Sequence, residues 1–115
     1  MSLRDTILTA TDIDEREVTV PEWGNITLLL KGMTGKQRIQ LVEKASNTQK
    51  VYMYSDILIA VAYDPDTGDL VFDAADREAL SEKAGGVLER LAQIAMELSG
   101  VNLDEAEKEV DEDPT

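Results

Sequence analysis

The feature that most constrains this chain is a broad apolar stripe near its C-terminal end. Val87, Leu88, Leu91, Ile94, Ala95 and Leu98 recur at three- and four-residue spacing, and Gly100 follows where a helix favours a left-handed residue. Gly85 and Gly86 lower helix propensity just ahead of it, yet the periodicity calls for a helix. A helix with so wide an apolar face has to be covered by other elements.

Those other elements must come from a single domain, because 115 residues suffice for one core and are too few for two comfortable ones. Hydrophobic residues make up 43% of the chain and aromatics only 4%, so the core is built from Leu, Ile, Val, Ala and Met. We expect a globular domain over residues 1–103. Residues 104–115 hold seven acids and one lysine, and read as a frayed helix passing into a disordered acidic tail.

Ser2 and Asp5 resemble a capping box, and Leu3, Ile7 and Leu8 then share one face of a short N-terminal helix. Residues 17–20 alternate polar and apolar as a half-buried strand does, Pro21 ends it, and residues 22–25 have turn chemistry. With the β-branched and apolar residues 26–31 this gives a β-hairpin over about 17–31. Thr34 and Gln37 then form a second capping box, opening a helix from about Gly35 to Ser46 with Ile39, Leu41, Val42 and Ala45. The apolar run 51–63 is ambiguous: its length favours a helix, its Val, Ile and Tyr content a strand. A helix through about Ala60 turning into a strand near Val61 is the preferred reading. Residues 64–69 form a turn, residues 70–72 can pair back as a short second hairpin over about 61–72, and Asp73 caps a helix carrying Leu80. The fold class is therefore α+β, mainly helical, with four or so helices and no internal repeat.

Composition also limits function. The net charge of −13, from 24 acids against 11 cations, opposes binding to nucleic-acid phosphates or anionic membranes. The chain has no cysteine and no histidine, which removes disulfides, thiol chemistry and the commonest general base and metal ligand. We expect no catalytic residue, cofactor or metal. The N-terminal residues carry charges where a signal peptide needs an apolar run, and no segment approaches a membrane span, so a cytosolic protein is expected.

Candidate chemical motifs fare poorly. Asp64 and Asp66 sit like the first ligands of a calcium loop, but the glycine comes one place early and Ala75 stands where the bidentate Glu is needed. Asp73, Asp76 and Glu78 could be drawn as catalytic carboxylates, but helix-start acids explain them. The segment from Gly32 to Lys36 lacks the spacing of a phosphate loop. What local rules do not absorb is the ribbon holding the single tryptophan, Trp23, and Leu28, Leu29 and Leu30. Strand alternation leaves at least one of these leucines on the outer face, where it needs a helix, another subunit or a client to cover it. Trp23, Leu28, Leu29 and Leu30 are the candidate interaction residues.

The string Val20-Pro21-Glu22-Trp23-Gly24, followed by an apolar strand, Met33-Thr34-Gly35 and Arg38, resembles the tail assembly chaperone family of long-tailed (siphovirus-type) bacteriophages. The resemblance continues through Gly68-Asp69-Leu70-Val71-Phe72, Asp76 with Leu80, Leu88 to Leu91, and Leu98-Ser99-Gly100. Gln37 departs from it, since an acidic residue is expected before the arginine. The resemblance implies a mainly helical fold and a nonenzymatic protein. Such a protein coats the aggregation-prone tape measure protein, helps recruit tail tube subunits, self-associates, works in the cytoplasm of the infected bacterium, and is absent from the finished virion. The competing expectations are an acidic nucleic-acid mimic that inhibits a host DNA-binding protein, and a structural tail or head-tail joining protein.

Overall fold

The computed structural model describes residues 2–44 and 50–101. In chain order its elements are helix α1 (Leu3–Thr9), strands β1 (Glu15–Val20) and β2 (Ile26–Lys31), helices α2 (Gly35–Lys44) and α3 (Met53–Val61), strand β3 (Ala62–Tyr63), and helices α4 (Arg77–Ser81) and α5 (Gly85–Leu98). The class is α+β and mainly helical, as the sequence pattern predicts. The acidic segment 104–115, and the last residues expected in the second long helix, lie outside the described residues.

The stripe that demanded a helix is α5. Val87, Leu88, Leu91, Ala92, Ala95 and Met96 are buried along it, and the helix closes with Gly100 at φ 77°. There the Gly100 N–H donates to the Glu97 carbonyl at 3.1 Å and the Val101 N–H to the Met96 carbonyl at 2.9 Å, satisfying carbonyls that a helix end leaves open. Its apolar face meets α3, which buries Met53, Ile57, Leu58 and Val61, and the inner face of β2, where Leu28 and Leu30 are buried. Val20, Met33, Leu41, Ala62 and Leu80 complete the core.

The three strands form one antiparallel sheet in the order β1-β2-β3. In the hairpin, Glu15 faces Lys31 and Val20 faces Ile26. The reversal is a 3₁₀ turn at Pro21–Trp23 followed by Gly24 and Asn25, both left-handed, with φ of 79° and 59°; Gly and Asn are the residues that tolerate this region best. Strand β1 starts two residues earlier than alternation suggests, because Glu15 and Arg16 pair with Lys31 and Leu30 although they carry no apolar signal. Strand β3 joins β2 through Leu29 with Tyr63 and Leu30 with Ala62. The expected second hairpin is accordingly slight. Leu70 makes one bridge to Tyr63, and the Val71 N–H donates to the Ala62 carbonyl at 3.0 Å.

Three capping devices legible in the sequence are in place. The Ser2 Oγ accepts from the Asp5 N–H at 3.1 Å. The Thr34 N–H donates to Gln37 Oε1 at 2.9 Å while the Gln37 N–H donates to Thr34 Oγ1 at 3.1 Å. Asp73 and Asp76 cap the 3₁₀ turn that leads into α4. Gln37, the departure noted above, has a second use. Its amide Nε2 donates to the Ala60 carbonyl at 3.3 Å, tying α2 to α3 in a way that a carboxylate cannot. Helix α1 differs from the rest: it is formed and capped, but none of its residues is buried.

The junction between β2 and α2 is held against the end of α5. A Cβ on Gly32 would stand 2.4 Å from the Leu98 carbonyl oxygen. Beside it, the Met33 N–H donates to Ser99 Oγ at 2.8 Å, and that hydroxyl donates to the Ala95 carbonyl at 2.7 Å. Gly32→Ala is expected to lower stability by about 1–3 kcal/mol through forced separation of these backbones. Gly35→Ala, with open space around its Cβ position, serves as the comparison and should not. Urea unfolding of both variants checks this.

Asp56 is the one carboxylate in the apolar run 51–63, and its side chain is 3% exposed. Arg77 answers it from α4 with a two-pronged contact, Nε to Oδ1 and Nη2 to Oδ2, both 2.9 Å. The guanidinium also lies 4.5 Å from the centre of the Tyr52 ring, and the Asp56 contact raises the arginine's pKa further. Removing one partner of a buried pair leaves an unanswered charge. Arg77→Leu should therefore cost ~3–5 kcal/mol, and Asp56→Leu with Arg77→Leu should recover much of it. A double-mutant cycle by chemical denaturation measures the difference.

Candidate interaction surface

Strand alternation divides the three leucines. Leu28 and Leu30 point into the core and are buried, while Leu29 lies on the opposite face, half-buried. On that outer face Leu29 pairs across the sheet with Glu17 and Tyr63. Lys31 reaches over the Tyr63 ring at 4.4 Å, and Thr19 and Thr27 share a hydroxyl contact of 3.2 Å. Trp23 is half-buried at the hairpin turn, packed partly against the core. Of the four candidate residues, then, Trp23 and Leu29 are the two the structure leaves accessible.

Trp23 forms one wall of a groove of about 780 Å³ between the hairpin turn and the 64–72 loop. Its apolar lining comes from Trp23, Ile26, Leu28, Pro65, Val71 and Phe72, and Glu17, Asp64 and Asp66 line it as well. Among the described residues no lysine or arginine lines it. Ile26 and Val71 are more than a third exposed, so the apolar surface is open to solvent. The sequence reading missed Val71 and Phe72 as surface formers. The signal was the apolar run 70–72 after the turn, which reads equally well as a strand buried by pairing.

Both sides of the groove are held by local bonds. On the loop side, Asp64 Oδ1 accepts from the Asp66 N–H at 2.8 Å, the Gly68 N–H donates to the Asp64 carbonyl at 2.8 Å, and Gly68 is left-handed at φ 79°. The aspartates that suggested a calcium loop thus shape a turn. Asp73 and Asp76 likewise spend their carboxylates on each other's backbone, and Glu78 accepts from the Tyr52 hydroxyl, which raises the tyrosine's pKa. Among the described residues no group of three or more acids is placed to hold a metal ion, and no helix is long and apolar enough to cross a membrane.

On the hairpin side, Glu22 and Arg90 make two parallel bonds of 2.9 Å, joining the Trp23 turn to α5. The Arg90 guanidinium, with help from the Glu22 backbone N–H, lowers the Glu22 carboxyl from 4.5 to about 2. Because the folded pKa is depressed, the pair's contribution is complete above the ordinary carboxylate range and disappears as pH falls from about 4.5 toward about 2. Both side chains are exposed, so the effect on stability is small. In Arg90→Gln the Glu22 carboxyl should titrate near its ordinary value, which carbon-detected NMR titration reads directly.

A three-stranded antiparallel sheet packed on a helical layer, with an apolar groove at a hairpin turn, defines a protein of α+β build. The family of phage tail assembly chaperones matches residues 2–109, and the chain belongs to that family. Among solved structures, the bacteriophage HK97 tail assembly chaperone is similar to it with a TM-score of 0.64 at 23% identity, over 83% of this chain and 91% of that one. At that identity the likeness supports the fold. No curated protein matches the chain.

Proposed function

We propose that this protein acts without catalysis during phage tail assembly, in the cytoplasm of the infected bacterium. In this reading it binds the tape measure protein, keeps it soluble and helps bring tail tube subunits onto it, then leaves before the virion is complete. Several copies associate to cover a long client. Membership of the chaperone family supports this reading over a nucleic-acid mimic or a joining protein. The observation in the molecule that carries it is the apolar groove at Trp23, with half-buried Leu29 on the outer face of the sheet, on a chain whose net charge is −13. Such a chain can offer sticky surface to a client while like-charge repulsion keeps its own copies from precipitating.

Co-expression with the tape measure protein of the same virus tests the proposal. The wild-type chain should hold the client in the soluble fraction. The Trp23→Ala, Leu29→Ser double variant, with its fold verified by circular dichroism, should lose most of that effect. Equal client solubility with both proteins would sink the assignment of this surface, and failure of the wild type would sink the function.

A further inference from the structure

We infer that the acidic segment 104–113 docks on the outward face of helix α2 of its own chain, covering the one long stretch of the sequence in which cations outnumber acids.

Charge is unevenly distributed along this chain. Residues 24–50 hold four lysines, Arg38 and a single acid, Glu43. They carry five of the 11 cations and one of the 24 acids. In the fold most of that stretch is β2 and α2. Helix α2 buries Leu41 and half-buries Gln37, Arg38 and Val42, while Lys36, Ile39, Gln40, Glu43 and Lys44 are exposed. Ile39 is 60% exposed although it is apolar. Asp56, the acid that shares a cleft with α2 on the α3 side, is already answered by Arg77. The outward face of α2 is therefore a strip with Ile39 at its centre and Lys36 and Lys44 outweighing Glu43.

The acidic segment begins beside this strip. The Met33 N–H donates to Ser99 Oγ at 2.8 Å, so the last turn of α5 abuts the start of α2. Gly100, left-handed, turns the chain off the helix axis, and Val101 packs back against the core. Asp104 follows three residues later. On the β1 side of the same junction stand Asp14, whose carbonyl accepts from the Gly32 N–H, and Glu15, which faces Lys31. Like charge repels the segment from that side, and α2 attracts it.

Reach and chemistry agree with this direction. Residues 104–113 span at most about 35 Å, and the ten residues of α2 are about 15 Å long. Leu103, Ala106 and Val110 recur at three- and four-residue spacing among the carboxylates. The segment thus brings apolar side chains for Ile39 and carboxylates for Lys36 and Lys44. Attachment to the same chain holds it near α2 at a roughly millimolar effective concentration, so weak contacts suffice. An acidic segment of another protein would have to displace it to bind there.

The chain has no cysteine, so a nitroxide on Pro114→Cys of the whole 115-residue chain labels one place and leaves every acid intact. At low salt, amide NMR signals of residues 36–44 should broaden about twofold more than those of residues 77–81 in α4. Raising the ionic strength to about 0.5 M should remove most of that excess, because the screening length falls to a few Å. Lys36→Glu with Lys44→Glu separates docking from mere tethering beside α5. Docking predicts that this pair abolishes the excess and that Lys36→Arg with Lys44→Arg keeps it. Equal broadening of α2 and α4 overturns the inference. So does an excess that the Glu pair leaves unchanged while the other amide signals hold their positions. Undiminished broadening when the label and the isotope sit on different chains would place the contact between copies, and overturns it as well.

Discussion

The fold turns on one close approach, that of the Gly32 backbone to the carbonyl of Leu98. Where β2 ends and α2 begins, the chain lies against the last turn of the longest described helix with no room for a side chain. Ser99 links the two backbones through its hydroxyl. This contact holds the end of β2 against the last turn of α5, and strand alternation then divides its residues between the two faces. Leu28 and Leu30 fall onto the α5 face, and Leu29 is left on the other side. The same junction starts α2, whose cap residue Gln37 then reaches α3. Two short strings that carry the resemblance to tail assembly chaperones, Met33-Thr34-Gly35 and Leu98-Ser99-Gly100, are thus neighbours in space although their starts lie 65 positions apart.

Much of this was legible in the sequence, and what was legible was local. Ser2, Thr34 and Asp73 announce their elements because each side chain bonds a backbone group two or three residues away. Gly24 and Asn25 mark a turn because they tolerate positive φ, and the α5 stripe declares itself by period alone. The run 51–63 shows where local rules stop. It becomes helix and then strand because Ile57, Leu58 and Val61 are buried together while Ala62 and Tyr63 meet the free edge of β2. No property of the run itself decides that. Asp56 within it finds its arginine 21 residues later.

The groove escaped notice for a related reason. Trp23 and the three leucines were evident as an apolar excess, but their neighbours Val71 and Phe72 arrive from a loop whose sequence reads as an ordinary turn and strand. Only the pairing of β3 against β2 brings that loop beside the hairpin. A surface assembled from two distant segments has no signature in either one.

Strand β1 occupies the outer position of the sheet, with Glu15, Arg16 and Glu17 along its first half. A copy approaching that edge to extend the sheet must bring its own charged residues into line with these. In the arrangement where two such strands run antiparallel about Glu17, the two glutamates would oppose each other. Backbone-to-backbone growth is thereby discouraged. The charge along this edge thus works against copies joining their sheets into a single fibre.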